Sequence, residues 1–466
     1  MPDKSPDEET PFLALARTHR VADACNAARE VLAIGPQQID VFESLLRDAT
    51  GGLTDSFATT LAQSSLPRSL IDVCLLSCWL GTRTAWEQSG TDALEAVATA
   101  HGSAYGRWLS QVRQAELFIA DSKHSDAESL VAESIDMLEA QADGVIRDHC
   151  LSLFFQLLGN CREARFECRG ARDALARASQ IENSRRFGSR WCTALHYAGL
   201  LRERGQYEDA LTILTSEALR TDAAKEERRA ELAALHLSAV RAASAAADSK
   251  LAFREVMAAD EILHRDAATG AMAQCQWLQG ELLLCSGLVE QLLDNHDEAE
   301  DLLRAAAAAF VSSDGYDPCG HLEAWIVLAE GSFRRAGARE LYDEIADVIG
   351  NFNGPYTPAV IGRLIALETF RFAGDHPPPT ERYRQLLKAA KQIISPELAF
   401  RALANLYQYA IGFLDQFDQA SLLVRLRKMA DKIEPDTFPS LYQRLVTDRY
   451  QYAVEARLDR HSRGKR

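Results

Sequence analysis

Between Pro67 and Pro318 the chain has no proline, while nine of its fourteen prolines fall from Pro318 to Pro439. A proline inside a helix costs about 3 kcal/mol, so its absence permits a long run of helices and its return marks a change of style. No stretch alternates apolar and polar residues between turn signals, which leaves nothing to form a sheet. Long hydrophobic runs are missing as well. The most apolar segment, residues 70–81, carries Asp72 and is too short to span a bilayer, so it reads as a buried helix. Ten cysteines contain no C-x-x-C and no paired framework spacing; this fits reduced thiols in a cytoplasm, acting as small buried hydrophobes. There is no glycine-rich phosphate loop, no H-E-x-x-H and no G-x-S-x-G, so no cofactor or metal is expected. Positive charge is in deficit: the net charge is −16 with a pI near 5.2. That balance argues against nucleic acid and anionic membranes and leaves a protein or peptide partner.

What is present is helical periodicity. Residues 194–219 read ALHYAGLLRERGQYEDALTILTSEAL. Leu195, Ala198 and Leu201 share one face of a first helix. Gly205-Gln206 supplies a tight turn, and Tyr207, Ala210, Leu211 and Leu214 form the apolar stripe of a second helix. The small Ala198 and Ala210 allow close approach. Such a pair cannot bury both stripes alone and needs another pair stacked on it.

A small residue in the first helix, a Gly-x-Tyr turn and an early alanine in the second helix resemble the tetratricopeptide repeat. Residues 287–306 hold a second good copy. The family's first-helix tryptophan is replaced by Ala194 and its late alanine by Glu217. With the second-helix alanine as anchor, copies centre on Ala93, Ala127, Ala171, Ala210, Ala252, Ala299 and Ala420. Twelve residues before stand Gly81, Ala115, Gly159, Ala198, Val240, Gly287 and Gln408; four after stand Val97, Val131, Leu175, Leu214, Val256, Leu303 and Val424. Successive anchors lie 34, 44, 39, 42, 47 and 121 residues apart, the last fitting three repeats of about 40. The longer period is similar to the degenerate arrays in the sensor regions of large bacterial transcription regulators. The resemblance implies an all-α, right-handed superhelical solenoid of α-α pairs.

The expected organisation is a disordered N-terminus (1–12), a helical cap (13–66), the repeat array (67–311), degenerate C-terminal helical repeats (312–455) and a basic tail (456–466). The tail reads as a solvated helix end whose cations suit the helix dipole. The oligomeric state is not encoded in any feature of the sequence.

Several constellations could carry chemistry. Cys74 and Cys78 lack a second pair for a metal site. Cys192 and His196 share a helix face but have no orienting partner. Arg190 with His196, and Arg229 with His236, have the spacing that HEPN-class helical ribonucleases use. The asparagine often found after that arginine is replaced by Trp191 and Ala230. Five tryptophans (Trp79, Trp108, Trp191, Trp277 and Trp325) and Trp86 sit at apolar helical positions, as packing residues do.

In such arrays the first helices line the concave groove. The resemblance places groove positions about fifteen, eleven and eight residues before each anchor: Gln156, Asn160 and Glu163; Leu195, Gly199 and Arg202; Leu237, Arg241 and Ser244; Leu284, Leu288 and Gln291. The lysine and asparagine of a carboxylate clamp are not reproduced, since only Asn160 fits. Leucines beside Arg202 and Arg241 suit an acidic or amphipathic segment. The sequence therefore reads as a non-catalytic interaction or regulatory scaffold, with a small-molecule or peptide sensor and a helical ribonuclease as alternatives.

Overall fold

The computed structural model describes residues 6–32, 34–49, 54–81, 88–121, 123–164, 167–203, 206–225, 228–267, 276–312 and 318–332, with residue 424. Among the described residues there is no strand, as expected for an all-α chain. The chain divides into two compact units, Met1–Tyr197 and Ala198–Arg466, a boundary that falls inside the expected array. The C-terminal repeats beyond Ser332, the basic tail, Ala420 and Trp86 lie outside the described residues, except that Val424 is helical and exposed.

In the first unit a 3-10 turn, Pro6–Glu9, leads into α1 (Thr10–Thr18), α2 (Val21–Val31), α3 (Pro36–Ala49) and α4 (Asp55–Gln63). Then come α5 (Arg68–Gly81), α6 (Gln88–His101), α7 (Ala104–Ala120), α8 (His124–Glu139), α9 (Val145–Ala164) and α10 (Cys168–Arg185). Residues 6–12 of the expected N-terminal segment form the 3-10 turn and the start of α1. Helix α7 packs on α6, α8 and, one helix further, on α5 and α9, while α9 also packs on α8 and α10. One core runs from Phe12 through Phe42, Leu75 and Leu109 to Phe154 and Phe187.

Asp72, the charge inside the apolar segment, is buried and accepts a hydrogen bond from the Ser103 hydroxyl at 2.6 Å. The same hydroxyl accepts from the Gly106 amide at 2.8 Å and so caps α7. A charged residue is thus held in the interior by a helix cap from the next pair. Among the described residues no helix is long and apolar enough to cross a membrane.

Helix α11 (Arg190–Glu203) crosses the unit boundary. The second unit continues with α12 (Tyr207–Leu214), α13 (Glu217–Lys225), α14 (Arg229–Ala245), α15 (Ser249–Ala267), α16 (Gln276–Leu292), α17 (His296–Ser312) and α18 (Pro318–Ser332). Consecutive helices from α14 to α18 pack in order, and α14 packs on α12 and α16, and α16 on α18. The second helix of the best repeat stops at Leu214, earlier than its pattern suggests. The Thr215 hydroxyl donates back to the Leu211 carbonyl at 2.7 Å and the Ser216 amide to Ile213 at 3.2 Å; this local competition closes the helix and leaves α13 as a separate element.

The anchors fall where the close approach of helices requires. Ala127, Ala171, Ala210, Ala252 and Ala299 are buried, and Ala93 is half-buried. Val97, Val131, Leu175, Leu214, Val256 and Leu303 are buried too, whereas Val424 is exposed. Two pairs repeat one geometry. A Cβ on Gly159 would meet Leu175 Cγ at 2.8 Å and the Ala171 carbonyl at 3.6 Å; on Gly287 it would meet Leu303 Cγ at 2.7 Å and the Ala299 carbonyl at 3.4 Å. Trp79 and Trp191 are buried, Trp108 meets Phe154 edge-on at 6.1 Å, and Trp277 departs from the packing expectation by standing exposed.

Candidate partner-binding face

The residues assigned to the groove share the first helices but meet different fates. In the first unit, Gln156 on α9 donates to Glu182 at 2.8 Å, and buried Glu182 also accepts from the Ser189 hydroxyl at 2.6 Å. One turn on, the Asn160 side-chain oxygen is buried with no hydrogen-bond partner among the described residues. Glu163 faces His196, 3.0 Å from its Nε2.

In the second unit, Leu237 and Leu284 are buried and give no outward apolar contact. Leu284 belongs to a core with Leu303, Phe310, Leu322 and Ile326. Arg241 on α14 is engaged within the chain. Its guanidinium forks onto Glu281 of α16 at 2.7–3.1 Å and reaches Glu323 of α18 at 2.6 Å. Burial alone would lower its pKa, but the two carboxylates outweigh that and hold it well above the ordinary arginine value. Beside it, burial pushes the Cys285 thiol up to about 12, against the opposing pull of Arg241, and the thiol donates to the Leu237 carbonyl at 3.4 Å. Gln291 donates to the Val327 carbonyl at 3.1 Å, and the Ser244 hydroxyl is buried with no partner among the described residues. Arg202 is half-buried.

Glu281 and Glu323 are functional neighbours that the sequence reading missed. The signal is present: they follow Arg241 by 40 and 82 residues, about one and two repeats, on successive first helices. The face opens at Gly199 of α11, where an added Cβ meets nothing within 4 Å.

Arg190, His196 and His236 of the arginine–histidine pairs each have a partner within the chain. Arg190 is buried, donates to the carbonyls of Arg186 and Phe187 at 3.0 and 2.9 Å, and lies over Trp191 at 3.8 Å. His236 Nδ1 stands 2.7 Å from Glu255, which Arg220 and Arg254 also bind at 2.7 and 3.0 Å. Cys25, Cys74, Cys78, Cys150, Cys161 and Cys285 are buried thiols outside any disulfide, and Cys192 is an exposed one. Among the described residues no three of His, Cys, Asp and Glu converge to hold a metal ion.

Compared with known proteins, the chain matches no family model and no curated sequence.

Proposed function

We propose that this chain is a non-catalytic, tetratricopeptide-like scaffold of the cytoplasm that binds a protein or peptide segment along the face of its first helices. The matching Gly159–Ala171–Leu175 and Gly287–Ala299–Leu303 contacts support a common repeat. The packing of α5 on α7 on α9 in the first unit, and of α14 on α16 on α18 in the second, supports stacking of successive pairs within each unit. Buried thiols outside any disulfide support a reducing compartment. Arg241 is a brace between first helices in this reading, so the binding role moves to the open stretch at Gly199.

The observation that carries the proposal is that open stretch: a first-helix face with room beside Gly199. An amphipathic segment laid along a helix face needs room for its anchoring side chains, and Gly199 leaves that room. Gly199→Trp fills the face without touching the core. The expected outcome is that affinity capture followed by mass spectrometry recovers a partner with the wild type and loses it with Gly199→Trp, at an unchanged melting temperature. Equal recovery with both chains means that the binding face lies elsewhere.

A further inference from the structure

Helix α1 is seated in the first unit as a bound peptide would be. Its buried residues are Pro11, Phe12, Leu15 and Ala16, and it packs on α5 and α9 as well as on α2. The Phe12 ring enters an aromatic box. It meets Tyr105 of α7 edge-on at 4.9 Å and His149 of α9 at 5.7 Å, and His149 in turn meets Phe187 at 5.4 Å. Three polar contacts fix the ends. The Glu9 carboxylate accepts from the Val145 amide, at the start of α9, at 2.7 Å. The Gly188 amide donates to the Ala16 carbonyl at 2.8 Å. The Arg17 guanidinium donates to the carbonyl of Arg185, the last residue of α10, at 2.9 Å. An anion therefore sits at a helix N-terminus and a cation at a helix C-terminus, both favoured by the helix dipoles.

The seat follows the repeat. Tyr105, His149 and Gly188 each stand 22 residues before an anchor: Ala127, Ala171 and Ala210. The same count from Ala93 reaches Ile71 of α5. Helix α1 thus crosses one equivalent row of successive repeats. At Gly188 the fit is close enough to exclude a side chain, since a Cβ there would meet His19 Nε2 at 2.5 Å and the Arg17 carbonyl at 2.9 Å.

We propose that this row is a second helix-binding site, occupied in cis by α1, and that its ligand in trans is a partner's amphipathic helix of the same chemistry: an acid, then an aromatic three residues on, a leucine and a small residue three and four further, and a base next. The inference rests on the scaffold reading above. Helix α1 has nine residues, shorter than the roughly 12–15 at which an isolated helix begins to hold itself, so it forms on its seat and is exchangeable. Its covalent link to α2 is two residues, His19, in the left-handed region at φ 58°, and Arg20, and it also packs on α2. Its release leaves α5, α7 and α9 stacked.

The test uses the full chain and a fluorescein-labelled synthetic peptide of residues 6–20. Phe12→Ala in the chain empties the box, and the peptide is expected to bind that chain at least about tenfold more tightly than the wild type, whose seat is filled. A peptide carrying its own Phe12→Ala is expected not to bind. Adding Gly188→Ala to the Phe12→Ala chain, which puts a Cβ against the peptide backbone, is expected to weaken binding about tenfold. A folded Phe12→Ala chain that binds no better than the wild type overturns the proposal, as does binding indifferent to Gly188→Ala. Should Phe12→Ala fail to fold, hydrogen exchange on the wild type decides: amides of residues 12–18 exchanging well ahead of residues 150–158 in α9 support an exchangeable seat, and equal protection overturns it. Loss of the partner in Gly199→Trp with no peptide binding here sinks only this inference; peptide binding here with equal capture by Gly199→Trp sinks only the face at Gly199.

Discussion

Gly159, Gly199 and Gly287 all lie inside helices, and what stands where a Cβ would go sets them apart. At Gly159 and Gly287 the branch carbon of a buried leucine is 2.8 and 2.7 Å away, with a carbonyl of the facing helix just beyond. At Gly199 there is open space. Alanine in place of glycine gains about 1 kcal/mol of helix stability, while overpacking a tight core costs about 1–3 kcal/mol. The two effects oppose each other at Gly159 and Gly287, and the steric one wins because a leucine branch point cannot move without its backbone. Gly159→Ala and Gly287→Ala are therefore expected to destabilise the chain, and Gly199→Ala to stabilise it by up to about 1 kcal/mol. Urea denaturation of the three variants reads the signs, and a uniform sign refutes the contrast.

Three helices of the second unit converge on one carboxylate. Glu255 of α15 is buried and receives His236 of α14, Arg220 of α13 and the exposed Arg254. Burial alone would raise its pKa, but the hydrogen bonds from His236 and Arg220, the Arg220 charge and the Arg254 hydrogen bond outweigh that and hold it at about 2, below its ordinary 4.5. A carboxylate lowered on folding adds stability above its unfolded pKa and loses it as pH falls through the folded one. The contribution, up to about 3 kcal/mol, is thus full above pH 4.5 and fades toward pH 2. Glu255→Gln is expected to lower stability at pH 7 and to differ progressively less from the wild type between pH 4.5 and pH 2.5. A difference that stays constant over that range refutes the titration as its cause. Much of this level was legible in sequence and some was not. The anchor alanines were found because close helix contact leaves a local mark every 34 to 47 residues. Helix α13, which carries Arg220, was merged into its predecessor, because the Thr215 side-chain bond that ends α12 has no periodicity to betray it. Arg241 reads as a groove residue in sequence because its two acids lie one and two repeats away, beyond any local window. The seat of α1 joins Glu9 to Val145 and Ala16 to Gly188, separations that no hydrophobic pattern reports.

At the scale of the molecule, the central question is whether stability is shared or local. In the second unit each of α14, α16 and α18 meets its sequence neighbours and the next helix of its own kind. In the first unit α7 and α9 do the same, while α5 packs on α1 and α3 as well as on α7. Where each pair leans on adjacent pairs, stability is close to a sum of repeat and interface terms, and damage stays near its origin. Ala252 is fully buried at the close crossing of α14 and α15, so Ala252→Leu overpacks that crossing at a cost of about 1–3 kcal/mol. Hydrogen exchange followed by mass spectrometry is expected to accelerate first in residues 229–292, while residues 104–164 keep their protection. The matching Ala171→Leu, in the first unit, is expected to reverse the order, because its crossing of α9 and α10 belongs to the other compact unit. If either variant instead raises exchange evenly along the described helices, the chain unfolds as one cooperative body and the linear stacking on which the scaffold reading depends is refuted.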